Sequence, residues 1–547
     1  MSFDSQSQPP IAYFCAEFGL DSKYPWYAGG LGVLAGDTLK QAVDNHVNLV
    51  GVGLMYRGDR SIQKINAQGE QEDEDFIFDP VAAGLEHVYL DNNPLFIKVH
   101  LTQIDVWCRC WKKTLSPEVT LYLLDTETDQ NQMSERSITH VLYSGTEDSL
   151  LKQQLILGIG GVKLLHQLGI HPHLFHVQEG KPAFLHWQLV RLHMDEHGMT
   201  FDEAVQAAKN KTVYTNHTLV AAGNQTVSTY LLRVYGEYYA QKMGISIDRL
   251  LGQGIEHDPE NFALTRFALN TSRKASGVSQ LHTQLSQQTW PEYNWVNITN
   301  GVHLPTWQSS LIKKATTDQD LWSAHVQEKR NLADFIKNRT GFTYNSDWLV
   351  ISWARRLAGY KRFDAIFSDV ARLAAIIKQQ DRPVQLLLSG KAHRLDSAGK
   401  RMLQDIISYL SNELSGSALY IPNFDLDVAR MLVRGSDVWL NTPEYGKEAS
   451  GTSGMKAISN GVLQCTVADG WSAEVNWQDL GWTLDSDRIG DSLYETLEQQ
   501  IIPLYFQKNE LGYSPAWLER MKKSIILAEQ FSTERMLKEY QSKLYLV

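Results

Sequence analysis

Residues 448–461, EASGTSGMKAISNG, follow a strand-like run and place small and hydroxyl side chains just ahead of a helical pattern. Such a loop turns backbone N–H groups outward at a helix N-terminus, where the helix dipole and unsatisfied donors favour a phosphate. Thr452 and Ser453 add hydroxyls, and Lys456 follows between Met455, Ala457 and Ile458. An ammonium in apolar surroundings loses its charge more readily, which suits a Schiff-base lysine. From pattern alone, a glycine-rich turn with a solvated lysine reads as well, since such loops match by chance often.

A second group is WARRLAGYKR, residues 353–362, with Arg355, Arg356, Lys361 and Arg362 at the end of a predicted strand. Two or three of these can converge on a phosphate, where Arg supplies a planar fork and Lys a point charge. The alternative, a solvated helix start, puts cations at the wrong end of a helix unless an anion binds there. Near the N-terminus, WYAGGLGVLAGD (residues 26–37) has Gly29, Gly30 and Gly32, which would let backbone approach a ligand before a helix begins. Its spacing is not the dinucleotide fingerprint, and a tight structural turn is the competing reading. VYTNHT (213–218) and ITNGVHLPTW (298–307) each set Asn near His at a strand end, polar groups able to bond sugar hydroxyls.

These groups need elements to hold them. Apolar runs at 348–353, 383–388, 418–421, 438–440 and 462–467 alternate with helical spacing, as over 363–377, and predict a parallel sheet covered on both faces. Runs at 174–177 and 212–214 show the same grammar in the first half. Ligands of such sheets bind beyond the carboxyl ends of the strands. The 547 residues, 43% hydrophobic and 21% charged, suffice for at least two domains. A balance of 51 Lys and Arg against 62 Asp and Glu, net −11, disfavours nucleic acid and anionic membranes as partners. No secretory signal or long apolar run is present, and four cysteines fit no zinc or disulfide pattern, so a soluble cytoplasmic protein without a metal site is expected.

Together the EASGT-x-x-MK motif, here 448–456, the glycine loop, the TNH and TNG segments and the RR-x-x-x-YKR segment resemble the α-glucan phosphorylase family, in family order and across nearly the whole chain. The wording of YAGGLGVLAGD and EASGTSGMKA is similar to its short bacterial and archaeal branch. The resemblance implies a GT-B architecture: an N-terminal Rossmann-like domain over 1–310, a cofactor-binding one over 311–512, and a helical segment 513–547 packing back on the first, with the active site between the two domains. It implies pyridoxal 5'-phosphate on Lys456, its phosphate cradled by Gly451, Thr452, Ser453 and Arg355. Arg356, Lys361 and the Gly30 backbone, with Gly29 and Leu31 beside it, would hold substrate phosphate, and His217, Asn300, Glu448 and Ser450 would contact the terminal glucose. His217, Arg356, Lys361 and Glu448 would form the catalytic set. The implied reaction is retaining phosphorolysis of an α-1,4-glucan or maltodextrin by inorganic phosphate to glucose 1-phosphate.

Several positions depart from the family. Gln178, Glu179, Gly180 and Lys181 stand where the short branch reads NEGH, Phe424 where a Tyr is usual, Glu444-Tyr445 where a basic pair is common, and Gly58-Asp59-Arg60 in a GYF-type segment. Two rivals follow: a GT-B nucleotide-sugar glucosyltransferase, which needs no cofactor lysine, and a non-catalytic glucan-binding relative. Family members are often dimers, yet no interface stripe is legible, so a homodimer stays open.

Overall fold

In a computed structural model the chain is described over residues 9–58, 61–76, 78–102, 104–143, 145–218, 224–255 and 258–546; Asp59 and Arg60 of the altered segment lie outside these. It packs as two units, one of Met1–Arg60, Phe76–Thr299 and Met536–Val547, the other of Ser61–Asp75 and Asn300–Arg535. The break falls at 299/300 where the sequence reading puts it at 310. The segment 513–547 is also divided: its part up to Arg535 packs in the second unit, and only Met536–Val547 joins the first. The short hairpin of strands Ser61–Ile65 and Gln71–Asp75 belongs to the second unit, because Gln63 and Gln71 bond Tyr420 and Ala392 there.

The second unit is built on six parallel strands in the order Ala418–Ile421, Val384–Ser389, Leu349–Ala354, Val438–Asn441, Leu463–Val467 and Trp482–Leu484. The central runs LVISWA and VQLLLS are buried at every residue, as strands covered on both faces must be. Numbered along the chain the order is 3-2-1-4-5-6, so connections diverge between Leu349–Ala354 and Val438–Asn441 and leave a crevice beyond their carboxyl ends. The helical pattern read over 363–377 is two pieces, a 3-10 turn Phe363–Phe367 and a helix Val370–Ile377. Asp369 separates them by accepting the Arg372 N–H, an N-cap that starts a new helix.

The long helix Asp318–Thr340 opens with a Thr317/Asp320 capping box and ends at Gly341. It is tied to this sheet by a buried ion cluster. Lys329 donates to Asp437 (2.6 Å), the Trp348 carbonyl (2.7 Å) and the Tyr505 hydroxyl (2.8 Å), while His325 Nε2 lies 2.7 Å from the other Asp437 oxygen. Burial alone would raise the Asp437 carboxyl, but Lys329 and His325 outweigh it and hold it below its ordinary range. Lys329→Met should leave a buried charge without its main partner and cost about 3–5 kcal/mol, read as a lower urea midpoint at pH 7. Because the Asp437 carboxyl is depressed, its stabilisation is present above the ordinary carboxylate range and fades as pH falls through the folded value. A loss under about 1 kcal/mol would show the cluster to be dispensable.

The first unit has parallel strands in the order Trp295–Asn297, Lys274–Gly277, Thr212–Thr215, Leu174–Gln178, Ile11–Phe14, Leu49–Leu54 and Val119–Asp125, extended by antiparallel Ile104–Ser116 with Phe96–Leu101 and Glu86–His87. Both units are α/β, as the alternation of runs predicts. All four cysteines are buried free thiols, and among the described residues no helix is long and apolar enough to cross a membrane.

Candidate active site

Arg355 follows the strand Leu349–Ala354, and the loop carrying Glu448 follows Val438–Asn441, the two strands between which the second sheet reverses its order. The loop is fixed from behind. Glu448 N–H donates to Asp469 Oδ2 (2.9 Å), and Trp471 N–H to the Ser450 carbonyl (3.0 Å). A Cβ at Gly470 would sit 2.5 Å from the Ser450 oxygen, so only glycine lets the turn close against the loop. Gly451 takes a left-handed φ of 83° and directs the chain into the helix Ser453–Ile458, which carries Lys456.

Arg355 and Lys361 both donate to one oxygen of Glu448, Oε2, Arg355 at 3.0 Å and Lys361 in a shorter ion pair. A guanidinium has five donors and an ammonium three, so sharing one acceptor leaves capacity for a further anion. Arg355 also reaches Ser453 Oγ at 3.3 Å, which accepts from the Trp439 indole at 3.2 Å. Burial would raise the Glu448 carboxyl, but Lys361 and Arg355 reverse this and keep it ionised. Burial, reinforced by Arg355 and Arg356 and opposed by Glu448, brings the Lys361 ammonium down to about 7. Arg356 itself is exposed. Arg362 turns away, its guanidinium bonded to the carbonyls of Thr442 (3.1 Å), Pro443 and Ser486 (2.7 Å), where it braces the loop.

Lys456 is 7% exposed, with Nζ 4.0 Å from the centre of the Trp307 ring. Trp307 belongs to the ITNGVHLPTW segment, and its carbonyl accepts from Arg434 and Asn460. This partner was missed from sequence, where the only signal was its place at the end of that segment. Asn300 and Ser450 are buried, and Asn300 Oδ1 and Ser450 Oγ have no hydrogen-bond partner among the described residues. Thr452 is half-buried, Phe424 half-buried and Glu444 exposed. Buried lysine, orphaned polar atoms and spare cationic donors are what a covalently attached anionic cofactor needs. No group of three potential metal ligands occurs among the described residues.

In the first unit His217, at the end of Thr212–Thr215, has Nε2 2.7 Å from Gln178 Oε1, and its N–H donates to Glu179 Oε1 (2.8 Å). Burial lifts the Glu179 carboxyl to about 7, against the pull of Lys181 and the N–H groups of His217 and Gly180. Lys181 Nζ lies 3.3 Å over the Tyr143 ring, and the Tyr143 hydroxyl donates to Glu17. The other Glu17 oxygen accepts from Ala28 (2.7 Å) and Gly29 (3.1 Å). Thus the Gly29 N–H, read from sequence as part of a ligand cradle, is already taken by Glu17. The helix Gly30–Asp44 begins at the next residue, and its geometry leaves the Gly30 and Leu31 N–H groups without helical acceptors. A Cβ at Gly30 would meet nothing within 4 Å, whereas one at Gly32 would strike Tyr27 and Glu17 at 2.6 and 2.8 Å. Gly30 borders open space and Gly32 is a packing glycine.

The Phosphorylase family, described as carbohydrate phosphorylase, matches residues 307–480, which include Trp307, Glu448 and Lys456. Across 98% of its length the chain is 35% identical to a maltodextrin phosphorylase of Thermococcus litoralis, covering 70% of that protein. Across 99% it is 32% identical to a glycogen phosphorylase of Aquifex aeolicus, covering 87%. It is also 30% identical to an uncharacterised protein of Methanocaldococcus jannaschii, of which it covers 99%. On similarity of this extent, with the family match spanning the Glu448 loop and Lys456, the chain belongs to the carbohydrate phosphorylase family.

Proposed function

We propose that this protein is an α-glucan phosphorylase that splits the terminal α-1,4-linked glucose of a glucan with inorganic phosphate, with retention, using pyridoxal 5'-phosphate held by Lys456. The observation that carries the reading is the buried Lys456 over Trp307, on the short helix into which the loop bearing Glu448, partner of Arg355 and Lys361, leads. The residues present fit the cofactor: the amine is buried, Gly451 to Ser453 lead into the helix, and Ser450 Oγ is a buried polar atom awaiting a partner. When bound, pyridoxal phosphate supplies a phosphate group that exchanges a proton with the substrate phosphate. A nucleotide-sugar glucosyltransferase would need no buried lysine in this loop.

Arg355, with Gly451, Thr452 and Ser453, would hold the cofactor phosphate. Lys361 and Arg356 would hold inorganic phosphate, and the Gly30 and Leu31 N–H groups are donors for the same class of anion. Glu448 holds the two cations side by side in a fixed geometry by offering both a single oxygen. Within the second unit Asn300 and Ser450, and within the first His217, would each offer a polar group to a sugar hydroxyl. In the reaction a phosphate oxygen bonds to the anomeric carbon, the glycosidic bond breaks, and the leaving oxygen takes a proton from phosphate. Glucose 1-phosphate and a glucan one unit shorter result, and preorganised cations stabilise the charge that gathers beneath the anomeric carbon.

The test is a spectrum of purified protein before and after borohydride, with peptide mapping and a phosphate-dependent assay on maltoheptaose. An adduct on Lys456 with glucose 1-phosphate release is expected. No adduct, even after pyridoxal phosphate is supplied, would overturn the reading.

A further inference from the structure

A chain of buried polar side chains runs from the segment Met536–Val547 to His217. Tyr545 OH lies 2.9 Å from His176 Nδ1. His176 Nε2 lies 2.7 Å from both Gln178 Nε2 and Thr215 Oγ1, and Gln178 Oε1 lies 2.7 Å from His217 Nε2. Thr215 Oγ1 is in turn 2.7 Å from Ser276 Oγ. His176, Gln178, Thr215 and Ser276 are completely buried, so no water competes for these partners.

With the Gln178 amide nitrogen toward His176 and its oxygen toward His217, donor and acceptor rules set the protons. An amide nitrogen only donates, so His176 Nε2 accepts, and its hydrogen is on Nδ1, facing the Tyr545 oxygen. The Gln178 carbonyl only accepts, so His217 carries its hydrogen on Nε2. We infer that Tyr545, by accepting the His176 Nδ1 hydrogen, lets His176 and Gln178 hold His217 as the Nε2–H tautomer, which leaves its Nδ1 an acceptor for a hydroxyl of the bound sugar. The last clause rests on the glucan reading above, while the relay itself does not. Burial pushes both imidazoles down to about 3, so proton position, not charge, is what the relay sets.

Tyr545 is held for this task. Arg273 donates to its carbonyl, its N–H donates to the Tyr540 carbonyl (2.8 Å), and its ring stacks on Tyr540. Tyr13 and Tyr540 meet the His176 ring edge-on, at 5.3 and 4.9 Å, and fix its plane. Removing the Tyr545 hydroxyl strands the His176 Nδ1 hydrogen in the core. The cheaper arrangement puts that hydrogen on Nε2, flips the Gln178 amide and moves the His217 hydrogen to Nδ1. Tyr545, His176 and Gln178 are therefore positioning residues.

The experiment is nitrogen NMR of the full-length protein with 15N-labelled histidine, His217 being assigned by its absence in His217→Gln. Wild type should show His217 as Nε2–H, and Tyr545→Phe should shift it toward Nδ1–H and weaken maltoheptaose binding roughly five- to tenfold. Gln178→Met, which removes the amide link, should also release the tautomer. In a His217→Ala background Tyr545→Phe should cost nothing more, because its effect passes through His217. An unchanged tautomer in both Tyr545→Phe and Gln178→Met, or a full additive loss in the double variant, would overturn the relay. The tautomer is read without turnover, so a protein that performs no phosphorolysis while His217 still answers to Tyr545 keeps the relay and loses the proposed function.

Discussion

Lys456→Ala should give a folded protein that retains no cofactor after borohydride and releases glucose 1-phosphate at least about a thousandfold more slowly, about 4 kcal/mol of barrier. The fold should survive because alanine is the best helix former and Lys456 lies in the helix Ser453–Ile458. The contact of a buried cation with the Trp307 ring, about 2 kcal/mol at most, is among what is lost locally, and relief from burying that cation stands against it. Lys456→Arg separates charge from nucleophile. It keeps a cation over Trp307 but cannot condense with an aldehyde, so it should be as inactive as the alanine variant. Near-normal activity in Lys456→Arg would mean that charge is what the position supplies, and the cofactor assignment would fail.

The parts of this site legible in the sequence are those governed by short-range rules. Buried parallel strands read as unbroken apolar runs, so 348–353 and 383–388 located the strands Leu349–Ala354 and Val384–Ser389 within a residue. The loops after them held the basic and glycine-rich groups, as the position of ligand sites in open α/β sheets requires, and the GT-B class of the family agrees with two such sheets. What was not legible depends on side chains meeting across distant segments. Nothing in RR-x-x-x-YKR says that Arg362 adopts a left-handed φ of 48° and spends its guanidinium on three carbonyls, while Lys361 beside it turns to Glu448.

The same holds in the first unit. The glycine loop reads as an anion cradle, yet Glu17, eleven and twelve residues before Ala28 and Gly29, occupies their N–H groups with a carboxylate. Spacing alone does not reveal this, because Glu17 meets those N–H groups only when the chain between them turns back, as the bond from the Phe18 N–H to the Trp26 carbonyl (2.9 Å) marks. Lys181 likewise looked like a permanent cation replacing a histidine. In the fold its Nζ lies over the Tyr143 ring, whose hydroxyl bonds Glu17, so the departure sits in the same constellation as the glycine loop. The hairpin Ser61–Asp75 was invisible for a similar reason, since its anchors Tyr420, Asn423 and Ala392 are more than 300 residues away in sequence.

Lys361→Ala should lower kcat/KM for phosphorolysis by about 10²- to 10³-fold, near 2.7–4 kcal/mol, because it removes a preorganised cation from a buried site. The pH dependence identifies the mechanism. With Lys361 brought down to about 7 by burial and by its neighbouring guanidiniums, the free site loses an ammonium as pH rises through that value. The KM for phosphate should therefore climb on the alkaline side. A bound phosphate favours the charged form and raises the lysine again, so kcat should hold to higher pH than kcat/KM. Lys361→Arg carries a charge that does not titrate, so the alkaline rise in KM should vanish even if turnover suffers from the altered geometry. Stability moves the other way. The folded group releases its proton near 7 and the unfolded one only near about 10.4, so between these values the unfolded chain binds more protons and stability rises with pH. Lys361→Met should flatten that slope. A KM for phosphate that stays level between pH 6 and 9 in wild type, roughly a unit or two either side of the folded value, would show that Lys361 keeps its proton and that Glu448 dominates its environment.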